Sequence, residues 1–263
     1  MQTPASQAQS ASSNPHAGCI VVTGASGGIG AAVARQLARA GHAICAHYGG
    51  NRDAAEALVA ALRQEGARAI ACPAEISDAA AVEALFERAS RELGPLRGLV
   101  NNAGITGPAG RLEQLEPAAL RQVLEVNVVG SFLCSQAAVR RMSTRHGGQG
   151  GAIVSVSSRA AVLGGADNWI HYAASKGAVD SMTVGLAIEV AREGIRVNAV
   201  RPGIIATDIH AKAGLGDRLE RMAGVIPLGR VGTPGEVAET VVWLLSDAAR
   251  YVTGAVVDVG GGR

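Results

Sequence analysis

The sequence predicts an α/β fold, a single domain in which a doubly wound parallel sheet carries helices on both faces. Three observations predict it. Short β-branched, apolar runs alternate with segments of helical periodicity from Cys19 onward. A glycine-rich turn follows the first run and opens directly into the first helical segment. Finally, 48% of the 263 residues are apolar, enough for one large, well-buried core.

The strand candidates are, in order, Cys19–Thr23, Ala43–Tyr48, Ala67–Cys72, Gly98–Asn101, Ala152–Val156, Arg196–Val200 and Ala255–Val259. Between them, Ile29, Val33 and Leu37 recur at helical spacing, as do Val82, Leu85 and Phe86. Strands separated by helices imply right-handed βαβ units and a parallel sheet. Ala40-Gly41 closes the first helix, and Thr233-Pro234-Gly235-Glu236 has the order of a capping box with a first-turn proline. The last helix is therefore expected from Pro234 to about Leu245. The polar, Gly-punctuated stretch 208–224 is expected to form a mobile lid.

Bulk properties narrow the function. Lys plus Arg number 24 against 22 for Asp plus Glu, without a basic run, so no field is built for nucleic acid or anionic lipid. Small molecules are the expected partners. Cys19, Cys45, Cys72 and Cys134 lie in apolar surroundings without metal-ligand spacing, which predicts buried free thiols and no metal site. Residues 1–18, rich in Ala, Ser and Gln, read as a disordered tail rather than a signal peptide. No stretch offers the ~18 uninterrupted apolar residues of a membrane span. A cytoplasmic protein is expected.

The turn Thr23-Gly24-Ala25-Ser26-Gly27-Gly28-Ile29-Gly30 joins a strand to a helix. Glycines let the backbone approach a pyrophosphate closely, and a helix N-terminus offers unpaired amides with a favourable dipole. An NAD site ends its second strand in an acid that holds the ribose hydroxyls. Here that position is Tyr48, with Asn51 and Arg52 just beyond. No carboxylate repels a 2′-phosphate, and two side chains can donate to it, so NADP(H) is expected over NAD(H).

Tyr172 and Lys176 lie one helical turn apart on one face. A phenol with a pKa near 10 is a poor base at neutral pH. An ammonium about 4 Å away contributes ~4 kcal/mol at an intermediate dielectric, about what lowering that pKa by ~3 units needs. A lysine and the positive charge of an oxidised nicotinamide together would make Tyr172 a usable base. Ser157-Ser158 follows the fifth strand, at the sheet edge where ligands bind, and its hydroxyl can donate to a developing oxyanion. Asn101-Asn102-Ala103-Gly104 ends the fourth strand at the same edge. Asn127, inside a helix where Asn is unfavourable, suggests a specific hydrogen-bond role.

Together these motifs resemble the short-chain dehydrogenases/reductases. The match comprises Thr23-Gly24-x-x-x-Gly28-x-Gly30, Asn101-Asn102-Ala103-Gly104, Asn127, Ser158, Tyr172-x-x-x-Lys176, Arg201-Pro202-Gly203 with Thr207, and Tyr251-Val252-Thr253-Gly254 with Gly260-Gly261, in order from about Cys19 to the C-terminus. The resemblance implies a Rossmann-type oxidoreductase that moves a hydride between nicotinamide and a carbonyl or alcohol. By the same resemblance Ser158 polarises the substrate oxygen, Tyr172 exchanges its proton, Lys176 holds the nicotinamide ribose and lowers the Tyr172 pKa, and Asn127 carries a relay water. Pro202, Gly203, Ile205 and Thr207 would flank the nicotinamide, and the implied assembly is a homotetramer.

Two departures stand out. Where the family commonly has an Asp after the third strand for the adenine amino group, this chain has Ala74-Glu75-Ile76, and the resemblance implies that Glu75, with its longer side chain, and Ile76 take the adenine there. The span from Ser158 to Tyr172 is one residue longer than usual, filled by Asn168-Trp169-Ile170-His171, so the substrate loop has its own shape. The chain looks most like the glucose dehydrogenase-like or 3-oxoacyl carrier-protein reductase-like branch. The expected substrate surroundings, Ile105, Val162, Leu163, Trp169 and Ile170, are apolar and favour a small or medium ketone. A sugar 1-dehydrogenase, a 3-oxoacyl thioester reductase and a non-catalytic dinucleotide sensor are the competing readings.

Overall fold

The computed structural model describes residues 18–207 and 224–263. The expected tail, apart from Gly18, and the expected lid, apart from Gly224, lie outside the described residues.

All seven expected strands form. They are β1 (Cys19–Val22), β2 (Ala43–Tyr48), β3 (Ala69–Pro73), β4 (Leu96–Asn101), β5 (Gly151–Val156), β6 (Ile195–Pro202) and β7 (Val256–Val259). They join one parallel sheet in the order β3-β2-β1-β4-β5-β6-β7. β3 starts two residues later than expected, and β6 extends to Pro202, which pairs with Val259.

Parallel strands are buried on both faces, so β1 is a continuous apolar run that sends alternate side chains to two cores. Cys19 and Val21 join Phe86, Leu99, Ile153 and Val197 on one face. Ile20 and Val22 join Val33, Leu37, Leu58 and Val241 on the other. The second face is covered by α1 (Gly28–Arg39), α2 (Arg52–Gln64) and α8 (Pro234–Leu245). The first is covered by α3 (Ala79–Leu93), α5 (Gly130–Met142) and α7 (Ile170–Val190). α4 (Pro117–Leu124) and the short α6 (Ala160–Leu163) belong to the loops at the sheet's carboxyl edge. The four cysteines are buried and unpaired by disulfides.

Local chemistry fixes the ends. Thr233 accepts from the Glu236 amide while the Glu236 carboxylate accepts from the Thr233 amide, so α8 has the expected capping box and bounds. Between α4 and α5 the helix widens into a π-turn at Glu125–Val129, enclosing Asn127. That turn was not legible as such in the sequence. It is a form often found at functional sites.

The strand order reverses direction between β1 and β4. In an open parallel sheet the crevice at that switch, outside the carboxyl ends of the strands, is where ligands bind.

Candidate active site

The turn after β1 is built tightly. Thr23 Oγ1 donates to the Val100 carbonyl (3.2 Å) and accepts from the Asn102 (2.9 Å) and Ala103 (3.0 Å) amides. Asn102 Nδ2 returns to the Thr23 (2.9 Å) and Gly24 (3.0 Å) carbonyls. This reciprocal clasp joins the ends of β1 and β4 across the switch. It explains why the two motifs occur together. Gly24 has φ +62°, and a Cβ there would meet Ala103 Cα at 2.9 Å. A Cβ on Gly30 would meet the Gly24 carbonyl oxygen at 2.4 Å, so α1 can pack this close to the turn only with glycine.

A cavity of about 1060 Å³ opens at this edge. From the phosphate-binding expectation it is lined by Gly24, Ser26, Gly27, Gly28 and Ile29, and from the β4 end by Asn102, Ala103 and Gly104. Across it stand Ser158, Tyr172 and Lys176, and then Pro202, Gly203, Ile205 and Thr207. Five segments distant in sequence thus meet around one volume. The cradle fits a dinucleotide, because glycines admit the backbone to close contact and the first turn of α1 directs unpaired amides at the opening.

Other expected cofactor residues lie beyond the cavity walls. Gly30 is in α1, packed on Gly24. Tyr48 ends β2, Asn51 caps α2 by accepting from the Ala54 amide, and Arg52 is an exposed residue paired with Glu56 at 2.7 Å. Glu75 bonds the Ser77 hydroxyl (2.9 Å), and Ile76 is buried against the π-turn, where a Cβ on Gly130 would meet it at 2.7 Å.

The residues expected to be catalytic converge from three segments: the π-turn, the end of β5 and α7. The Lys176 ammonium, on α7, donates to the Val156 carbonyl at the end of β5 (2.7 Å) and lies 5.7 Å from the Tyr172 ring centre. Burial lowers the Lys176 pKa to about 8, with the Asp180 carboxylate one turn along opposing that shift. The Tyr172 phenol is pushed above its ordinary value by burial, and the Ser158 hydroxyl pulls the other way through a hydrogen bond. Lys176 is itself destabilised as a cation and is aimed at a carbonyl, so desolvation governs the phenol.

Asn127 is fully buried and touches the cavity only through its neighbours. Its Oδ1 accepts from the Ile105 amide (2.8 Å), and its Nδ2 donates to the Ile105 carbonyl (2.9 Å) and the Ser175 hydroxyl (2.9 Å). The Ser175 hydroxyl donates to the Tyr172 carbonyl (2.7 Å). Asn127 therefore ties the loop after β4 to the helix that carries Tyr172 and Lys176.

At the expected substrate end Ile105, Leu163 and Trp169 line the cavity, whereas Val162 and Ile170 do not. The loop before Tyr172 bends through Gly164, Gly165 and Asp167, all at positive φ, and the Gly110 amide donates to the Asn168 carbonyl (2.9 Å). Sequence reasoning missed Arg159, Arg263 and His47. Arg159 lines the cavity beside Ser158 and pairs with Asp258 on β7. Arg263, near the chain's end, reaches the same cavity because β7 runs beside β6. The imidazole of His47 accepts from the Gly24 amide.

A family model described as enoyl-(acyl carrier protein) reductase matches residues 24–263. The chain is 46% identical over 243 residues to the uncharacterized oxidoreductase YgfF of Escherichia coli, covering 92% of this chain and 98% of that one. It is 44% identical to the cis-4-hydroxycyclohexanecarboxylate dehydrogenase of Sinomonas cyclohexanicum, covering 92% and 94%. Among solved structures, a blue fluorescent protein from a metagenomic library in complex with NADPH superposes with a TM-score of 0.85 at 38% identity, covering 93% of this chain and 97% of that one.

Proposed function

Since the chain belongs to the short-chain dehydrogenase/reductase family, whose members are oxidoreductases acting on alcohols and carbonyls, we propose an NADP(H)-dependent carbonyl reductase in which Tyr172 is the acid/base. The observation that carries the reading is the meeting of Ser158, Tyr172 and Lys176 with the glycine turn around one cavity.

A nicotinamide held by the glycine turn and the residues from Pro202 to Thr207 would supply the hydride in reduction and accept it in oxidation. Ser158 and Tyr172 share a hydrogen bond, so a carbonyl oxygen entering between them finds two hydroxyl donors. As negative charge develops on that oxygen, Tyr172 gives up its proton, and in reverse its phenolate takes the alcohol proton. A raised phenol pKa keeps Tyr172 protonated at neutral pH, the form reduction needs. Lys176, 5.7 Å from the Tyr172 ring centre, stabilises the phenolate left behind.

NADP(H) preference is supported by the lack of an acid at Tyr48 and by the exposed cation of Arg52. Its pair with Glu56 is an exposed, solvent-screened i,i+4 bridge, so a 2′-phosphate can recruit Arg52 at small cost. The NADPH named with the similar fluorescent protein agrees with this reading. A homotetramer belongs to the same proposal, supported by exposed apolar side chains on α5 and α7, Phe132, Val184 and Ile188.

NADPH consumption over a panel of ketones, 3-oxo thioesters and aldoses tests the reading. Turnover of apolar ketones above the other two classes is expected. No turnover of any carbonyl compound contradicts it.

A further inference from the structure

His47 is 2% exposed within the apolar run of β2, yet both of its ring nitrogens are engaged. Nδ1 lies 3.1 Å from the Gly24 amide nitrogen and Nε2 lies 3.0 Å from the Ala74 carbonyl oxygen. An amide can only donate and a carbonyl can only accept, so Nδ1 must present its lone pair and Nε2 its proton. These two partners select one neutral tautomer. Burial favours the same neutral form, lowering the pKa of the ring.

The main chain of His47 takes the next amide of the turn as well, accepting from Ala25 at 2.9 Å. One residue thus holds two consecutive N–H groups at the start of the glycine turn. The amides that follow, from Ser26 to Ile29, border the cavity. On its other side the ring grips Ala74, whose amide is bonded to the Tyr48 carbonyl (3.2 Å) and which leads into Glu75 and Ile76. The imidazole therefore spans from the turn that faces the phosphates to the segment after β3. A side chain that does not line the cavity can still set the spacing of the glycine turn and the segment after β3.

We infer that His47 is a positioning residue for the dinucleotide, holding the glycine turn and the segment after β3 in one fixed arrangement. The inference rests on the dinucleotide reading of the cavity given above. Its consequence is a separation of effects, since loss of the ring should weaken cofactor binding and leave the chemical step alone.

Fluorescence titration of NADPH, with steady-state kinetics, tests it on wild type, His47→Phe, His47→Leu and His47→Asn. Phe keeps the ring's shape without its nitrogens. Leu matches Asn in size, whereas Asn alone can place an acceptor near the position of Nδ1. Leaving the half-buried Gly24 amide without its acceptor should raise the NADPH Kd and cofactor KM about tenfold in the Phe and Leu variants. Turnover at saturating cofactor should stay within about twofold, and Asn should restore Kd to within about threefold of wild type. If Phe does not fold, the Leu and Asn pair carries the comparison. A folded Phe or Leu variant that binds NADPH as wild type does, or an Asn variant as weak as Leu, would overturn the inference. Wild type that binds neither NADPH nor NADH would overturn the dinucleotide reading beneath it, and that is visible before any variant is made.

Discussion

At the scale of residues, the site sets opposing demands on two neighbours. Lys176 is a buried cation with a folded pKa of about 8 against an ordinary 10.5. Between these values the unfolded chain binds more protons than the folded one, so stability rises with pH through that window. Below about pH 8 the full cost of burying the charge is present. Melting curves of wild type and Lys176→Met should therefore shift relative to each other in favour of wild type from about pH 7 to about pH 10. A difference that stays constant with pH would show that Lys176 is not a strained cation. Arg52 gives a second test: Arg52→Ala should weaken NADPH binding by about tenfold and leave NADH nearly unchanged, as read by titration. Equal loss for both cofactors, or tighter NADH than NADPH binding in wild type, would contradict the NADP(H) preference.

The motif residues were legible because their chemistry demands particular types at particular spacings. Gly24 and Gly30 are required by close approach, and Tyr172 and Lys176 by one helical turn. His47 was not legible. In the run Ala43–Tyr48 it reads as a core residue, and its role depends on Gly24 and Ala74 folding to opposite sides of its ring. The direction of the Tyr172 shift was hidden for a related reason, because sequence spacing gives proximity to a cation but not the desolvation that outweighs it.

At the scale of elements, the strand and helix order followed from periodicity, while two local shapes did not. The π-turn at Glu125–Val129 needs one backbone bond displaced, which no residue type announces, though an Asn inside a helix hinted at a special contact. α6 is only a single turn from Ala160 to Leu163, and Leu163 lines the cavity while Val162 does not. The end of α8, in contrast, was fully legible from Thr233 to Glu236. Thr233→Ala removes the acceptor for the Glu236 amide and should cost about 1 kcal/mol of stability. Chemical denaturation measures this, and a loss near zero would mean that the cap does not hold α8. The Glu236 carboxyl is held down at about 2, first by the hydrogen bond from Arg230 and then by Thr233. Its contribution is present above the ordinary carboxylate pKa and fades as pH falls toward about 2.

At the scale of the whole molecule, the sheet order brings five distant segments to one edge. β1 and β4 supply the dinucleotide turn and its clasp, β5 supplies Ser158, α7 supplies Tyr172 and Lys176, and β6 leads to Pro202 and Thr207. An ion-pair chain runs from Asp180 through Arg201 and Asp258 to Arg159, fastening α7, β6 and β7 to the segment that carries Ser158. The apolar faces left exposed on α5 and α7 predict a mass of four chains in light scattering, and a monomer at micromolar concentration would refute the assembly. The central claim concerns the proton on Tyr172, and the most direct test is turnover of Tyr172→Phe on a ketone that wild type reduces. The substitution removes one oxygen and almost no volume. Turnover should fall by about 10²- to 10⁴-fold while the NADPH Kd stays unchanged. A folded Tyr172→Phe variant that reduces the same ketone at the wild-type rate would contradict the mechanism.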